Sequence, residues 1–208
     1  MVAIKSSPGN DGRYISLLIN YVNKDLPPPP PGAYITPKEG NSVPLEMFER
    51  AIKERPSDIK RVTFNQITQS INAKDCCHTP GWTLNLIAKL YKSGVSEVLE
   101  INEIDLNARK LFWYREKRQE GVSFIDSCKQ YTDLSKLLIT IDPVKNYAEK
   151  CFTFHKFTFN ELFTPNKGIE ILNNFTNKPI PKEWVENFNN RCLVNKRIIN
   201  KIDKYKYS

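Results

Sequence analysis

Long apolar runs are missing from this sequence. None approaches the roughly 20 residues that a membrane span needs, so no transmembrane helix and no membrane partner are expected. The opening residues, MVAIKSSPGNDGR, contain no apolar core of the kind a signal peptide carries. Asp11 likewise argues against a transit peptide. Regular cysteine spacing is missing too: five cysteines fall at irregular intervals, with Cys76 and Cys77 adjacent. That pattern reads as reduced thiols rather than a disulfide framework, and the expected location is intracellular, in the cytoplasm. Zinc-type pairs are also lacking. Cys76, Cys77 and His78 are immediate neighbours that would not converge tetrahedrally, and no second pair has ligand spacing, so no metal is expected.

What is present suffices for one packed domain with a tail. The chain has 208 residues, 11% of them aromatic, which argues against general disorder. The formal net charge is +8, and residues 191–208 hold six Lys/Arg against one acid, a net +5. A basic excess attracts polyanions. Lys196, Arg197, Lys201, Lys204 and Lys206 are therefore the expected nucleic-acid-binding residues, with a solvated basic surface as the ordinary alternative.

Along the chain, residues 1–43 form an N-terminal segment with a Pro-rich loop, 44–190 the domain proper, and 191–208 a basic C-terminal tail. Tyr14 to Val22 fits a strand or a short helix. The loop from Asp25 to Asn41 contains five consecutive prolines at 27–31, which could take an SH3-like protein partner or act as a rigid connector. Pro44, Leu45, Phe48 and Ile52 predict a helix that ends before Pro56. Phe64, Ile67 and Ile71 support a short helix or an irregular lead-in. Asp75 to Gly81 reads as a turn-rich run. Trp82 to Tyr91 is a predicted helix with Gly94 just beyond it. Glu97 to Ile101 is a strand, and Asp105 can cap a helix that Gly121 stops. Further strands are predicted at 122–125, 137–141 and Cys151 to Phe159, with helices around Ile169 to Asn173 and Trp184 to Phe188. Alternating helices and strands predict an α/β domain with a mostly parallel, doubly wound sheet.

In open parallel sheets ligands sit beyond the carboxyl ends of the strands. Asn102 and Glu103, Asp126, and Asp142 followed by Pro143 take those places. The turn Thr79-Pro80-Gly81 precedes a helix whose N-terminal amides favour a carboxylate or phosphate. Together these positions predict a nucleoside-cofactor site.

The runs DCCHTPGWTLNLIAKLYKSGVSEVLEINEID, GVSFIDSC and LLITIDPV resemble class I S-adenosylmethionine-dependent methyltransferases, most of all the small guanine-N2 methyltransferases of ribosomal RNA. The resemblance spans roughly residues 24 to 145 and is carried by spacing more than identity. Its motifs are degenerate: Thr79 and Pro80 stand where the family has glycine, and DPVKNY stands for Asp-Pro-Pro-aromatic. It implies a Rossmann-like methyltransferase fold with S-adenosylmethionine as cofactor and RNA as the favoured partner. The implied cofactor-binding residues are Asp75, His78, Thr79, Gly81, Asn102, Glu103 and Asp126. Asp142 and Pro143 would meet the target amine, with Tyr147 as the stacking ring.

Other readings stand beside this one. Asp142-Pro143 is also an ordinary strand-ending turn, and Asp126 could merely cap a helix. Trp113 and Tyr114 among Arg109, Lys110, Arg115, Lys117 and Arg118 could stack on RNA, or present one buried aromatic face. His155 reads as a core residue. VSFIDSC with LLITID also looks like the acidic motifs of PIN-type metal-dependent ribonucleases, with Asn20 or Asn23 where an early Asp is needed. A transferase-like fold without chemistry, binding RNA or a protein, is the non-catalytic alternative.

Overall fold

The computed structural model describes residues 2–6, 11–23, 25, 28, 76–79, 82–101, 106–119, 121–129 and 144–206. These form an α/β structure around a four-stranded sheet in the order β2-β1-β3-β4, where β1 is Val2–Ser6, β2 Cys76–Thr79, β3 Glu97–Ile101 and β4 Thr153–Phe157. Every pairing is parallel. Val2 faces Cys76 on one side and Glu97 on the other, and Glu97 in turn faces Thr153. Parallel strands cannot be joined by tight hairpins, so helices cross between them and cover both faces of the sheet.

Side chains alternate across a strand, so each strand feeds two cores. On the first face Val2 and Ile4 of β1 and Leu99 and Ile101 of β3 join the larger core. Helix α1 (Gly12–Asn23) lies here, with Ile15, Leu18, Ile19 and Val22 buried at helical spacing. Helices α3 (Leu106–Gln119), α4 (Phe124–Lys129), α6 (Phe159–Leu162), α7 (Lys167–Asn173) and α8 (Lys182–Lys206) complete this layer. Trp184 and Phe188 of α8 are fully buried, the indole edge-on to Tyr21 at 6.0 Å. Gly168 lets α7 approach closely. A Cβ there would come within 1.9 Å of the Leu162 carbonyl oxygen and 2.7 Å of the Phe188 ring.

The second face carries a smaller core of Ala3, Val98, Trp82 and Phe152, with Ile87 and Leu90 of α2 (Leu84–Lys92) and Ala148 of α5 (Lys145–Cys151). Thr83 caps α2 by accepting the Leu86 N–H at 3.1 Å, and Gly94 turns the chain out of it at φ +80°. Trp82 stacks on Phe152 at 5.9 Å.

Several expectations are corrected. Residues 2–6 and 12–23, placed in the N-terminal segment, supply the central strand and a deeply buried helix. Tyr14 to Val22, open between a strand and a short helix, is helical. Residues 76–79, within a run read as turn-rich, are strand β2. The strand expected at 122–125 is the start of α4. Ser123 Oγ accepts the Asp126 N–H at 3.1 Å and donates to Asp126 Oδ2 at 2.5 Å, and this reciprocal cap outweighs the β-propensity of the apolar run. The basic tail is the second half of α8, tied to the core by Ile198 and Ile202. The predicted helix at 44–55, the segment at 63–71, all of the Pro-rich loop but residues 25 and 28, and the predicted strand at 137–141 lie outside the described residues. Among the described residues no helix is long and apolar enough to cross a membrane.

Candidate functional site at the carboxyl edge of the sheet

The parallel register delivers Ser6, Thr79, Ile101 and Phe157 to one edge of the sheet. β1 stands between β2 and β3, so the segments leaving Thr79 and Ile101 depart on either side of it. One residue before this edge, on the second face, a charged row crosses the apolar strands: Lys5 of β1, Glu100 of β3 and Lys156 of β4 are register partners. Lys5 and Glu100 are buried, at 2% and 3% exposure. Lys145, in the first turn of α5, donates from Nζ to Glu100 Oε1 at 2.6 Å. Glu149 of the same helix accepts from Lys156 at 2.8 Å, and that bond holds its carboxyl below the usual range. Glu100 Oε2 is buried and has no hydrogen-bond partner among the described residues. A buried carboxylate oxygen left unserved costs on the order of 1–3 kcal/mol.

On the first face the residue that opens α1 carries the second cluster. Asp11 holds a left-handed backbone, φ 54°, while its carbonyl accepts the Ile15 N–H at 3.0 Å. Its carboxylate is fully used. Arg191 approaches with Nη2 at 2.7 Å and Nε at 3.1 Å, Asn195 Nδ2 at 2.8 Å, and Arg115 Nη1 at 2.6 Å. Burial alone would raise the Asp11 pKa, but the two guanidiniums outweigh it and hold the carboxyl far below the usual range. Burial also lowers the Arg115 pKa, with Asp11 opposing. Tyr14 lies beneath Arg191, 5.4 Å from ring centre to guanidinium, and donates to Asn187 Oδ1 at 2.8 Å. Burial pushes its hydroxyl well above the usual phenol range. Burial, reinforced by Asp11, pushes the Cys192 thiol up to about 12, which leaves it protonated and unreactive.

The sequence-predicted residues fare unevenly. Asp75, Gly81, Asn102, Glu103, Asp142 and Pro143 lie outside the described residues. His78 and Thr79 belong to β2, with Thr79 at its carboxyl end. Asp126 is not at a strand end: it is exposed in the first turn of α4, bonded to Ser123. Tyr147 is on α5, two residues and so about 200° round the helix from Lys145, and it is 61% exposed. It therefore faces away from the Glu100 cluster. β2 and β3 are not neighbours in the sheet, since β1 lies between them. The PIN-type pattern loses two of its strands, since Tyr14 to Val22 and 124–125 are helical. Lys196, Arg197 and Lys204 are exposed on α8 and Lys201 is half-buried, while the side chain of Lys206 is outside the description. His155 is half-buried on β4, 3.5 Å from Glu97 and edge-on to Phe175.

Sequence reasoning missed Lys5, Asp11, Glu100, Lys145, Arg191 and Asn195. For two of them a signal exists: Lys5 and Glu100 follow directly on the apolar runs Val2–Ile4 and Val98–Leu99 within their strands. Burying a charge is costly without partners or a ligand, so such a residue is not surface decoration. No protein-family model, no curated protein and no solved structure matches this chain.

Proposed function

We propose that this chain is a Rossmann-like, doubly wound domain that binds a nucleotide or nucleoside cofactor at the carboxyl edge of its sheet, between β1 and β3. Strand order supports this. The chain steps from β1 to β2, then crosses back over β1 to β3, and ligands of such sheets lodge where the winding reverses. The observation that carries the reading is Glu100, a buried acid near that reversal with one oxygen bonded to Lys145 and the other without a partner among the described residues. A ribose hydroxyl or an exocyclic amine would donate to Oε2 and remove the desolvation cost.

Methyl transfer to a nucleic-acid amine is the narrower form of this proposal. It rests on the resemblance, with S-adenosylmethionine as the ligand. Calorimetric titration of the full chain with S-adenosylmethionine, ATP, NAD and FMN tests both levels. One ligand should bind with a stoichiometry near one, and Glu100→Gln should weaken it about 10- to 100-fold, the loss expected for a hydrogen bond to a charged group. Binding by S-adenosylmethionine alone favours the transferase form. Failure of all four ligands, or an affinity indifferent to Glu100, defeats the proposal.

A further inference from the structure

Helix α8 is electrically uneven. Its first half, 182–194, carries two basic and two acidic residues, whereas 195–206 carries five basic residues and one acid. That acid, Asp203, is taken by Lys110 at 2.5 Å. Among the described residues none of Lys129, Lys196, Arg197, Lys201 and Lys204 is in an ion pair. Where these cations make a contact, it is with aromatic rings. Arg197 lies 6.0 Å from the Phe124 ring of α4. Lys129 of α4 and Lys201 of α8 each lie 5.7 Å from Tyr205. On α3, Lys117 sits 4.9 Å over Trp113, whose indole N–H donates to the Ser127 carbonyl of α4 at 3.0 Å. Three helices that pack on one another thus carry cations beside half-buried rings.

We propose that this surface binds single-stranded nucleic acid. Uncompensated cations held on rigid helices match a backbone that repeats one negative charge per nucleotide. Half-buried rings between them offer flat faces to unstacked bases, which a duplex keeps inside its stack and an acidic peptide lacks. The observations behind it are other than those at Glu100, so failure of either test leaves the other proposal standing.

Fluorescence anisotropy of the full chain with a labelled 15-nucleotide oligouridylate tests it, beside a duplex of equal length, polyglutamate and phosphatidylserine vesicles. The single strand should bind most tightly, and its affinity should fall as salt rises. The combined variant Lys129→Gln, Arg197→Gln, Lys201→Gln, Lys204→Gln should weaken binding at least tenfold. It should also flatten the log–log salt slope by about 3, since each phosphate contact on a single strand contributes ~0.7. Tyr205→Leu should weaken binding about tenfold with the slope unchanged, and Tyr205→Phe should retain it. Duplex, polyglutamate or vesicles bound as tightly as the single strand would overturn the proposal, as would a four-site variant that folds by circular dichroism and binds normally.

Discussion

The two faces of the sheet bury equally inaccessible acids and treat them oppositely. Asp11 and Glu100 have side chains 3% and 4% exposed. On the α1/α8 face both Asp11 oxygens are served, by two arginines and an asparagine, within a core containing Trp184, Tyr21 and Phe188. On the α2/α5 face the core is smaller, and Glu100 keeps one oxygen without a donor among the described residues. Burial therefore does not by itself mark a functional carboxylate. Incomplete satisfaction near a sheet edge is the more specific sign, because a purely structural network gains by closing every bond.

The comparison can be broken at its apolar layers first. Trp184→Ala should cost about 4 kcal/mol and Trp82→Ala about 3 kcal/mol, both within the span for aromatic truncation. Urea denaturation of the two variants checks the order. Reversal would mean that the smaller core dominates stability.

Asp11→Asn comes next, at roughly 3 kcal/mol, since it leaves Arg115 and Arg191 facing each other across a partly desolvated gap. It should also change the pH profile. The folded carboxyl titrates far below its ordinary value near 3.8, so the unfolded chain binds the proton more readily. The stabilisation is thus fully present above about pH 4 and drains away as pH falls below that. Wild-type protein should lose stability on acidification through this window, and Asp11→Asn should lose less. Parallel acid limbs would remove Asp11 from the account.

Glu100→Gln should show the smallest effect, within about 1 kcal/mol. Lys145 is 32% exposed in its side chain and can turn its ammonium to water when the carboxylate is gone. A change as large as that at Asp11 would make the Glu100 pair structural, and the two faces alike.

How far the sequence announces this fold depends on how local each element is. β3 occupies the predicted residues, and α2 and α3 fall within two residues of the predicted bounds, because apolar spacing, the Thr83 cap, Gly94 and Gly121 act within a turn of the residues they govern. β1 is hidden, for it is five residues long and contains Lys5 and Ser6, which only its neighbours render buried. β2 is four residues of weak pattern. Val122 to Ile125 has strand-like composition, but the Ser123–Asp126 cap decides otherwise. The site divides in the same way. That ligands of a parallel sheet gather at its carboxyl edge follows from topology. That Lys5 faces Glu100 across two strands, or that Asp11 meets Arg191, depends on pairings no short window contains.

The central position of β1 bears on how the molecule comes together. Its partners in the sheet are residues 76–79 and 97–101, and Asp11 closes onto Arg191 across 180 positions of chain. Contacts of such long sequence separation spend loop entropy before any packing repays it, which slows the search for the native arrangement. On a ribosome, β1 would emerge well before the strands that flank it and wait longer still for α8. Until then its unpaired edges and apolar side chains stand exposed to misassociation. Lys5, one residue from the carboxyl end of that waiting strand, would serve there as a charge that discourages edge-to-edge pairing before it is buried beside Glu100.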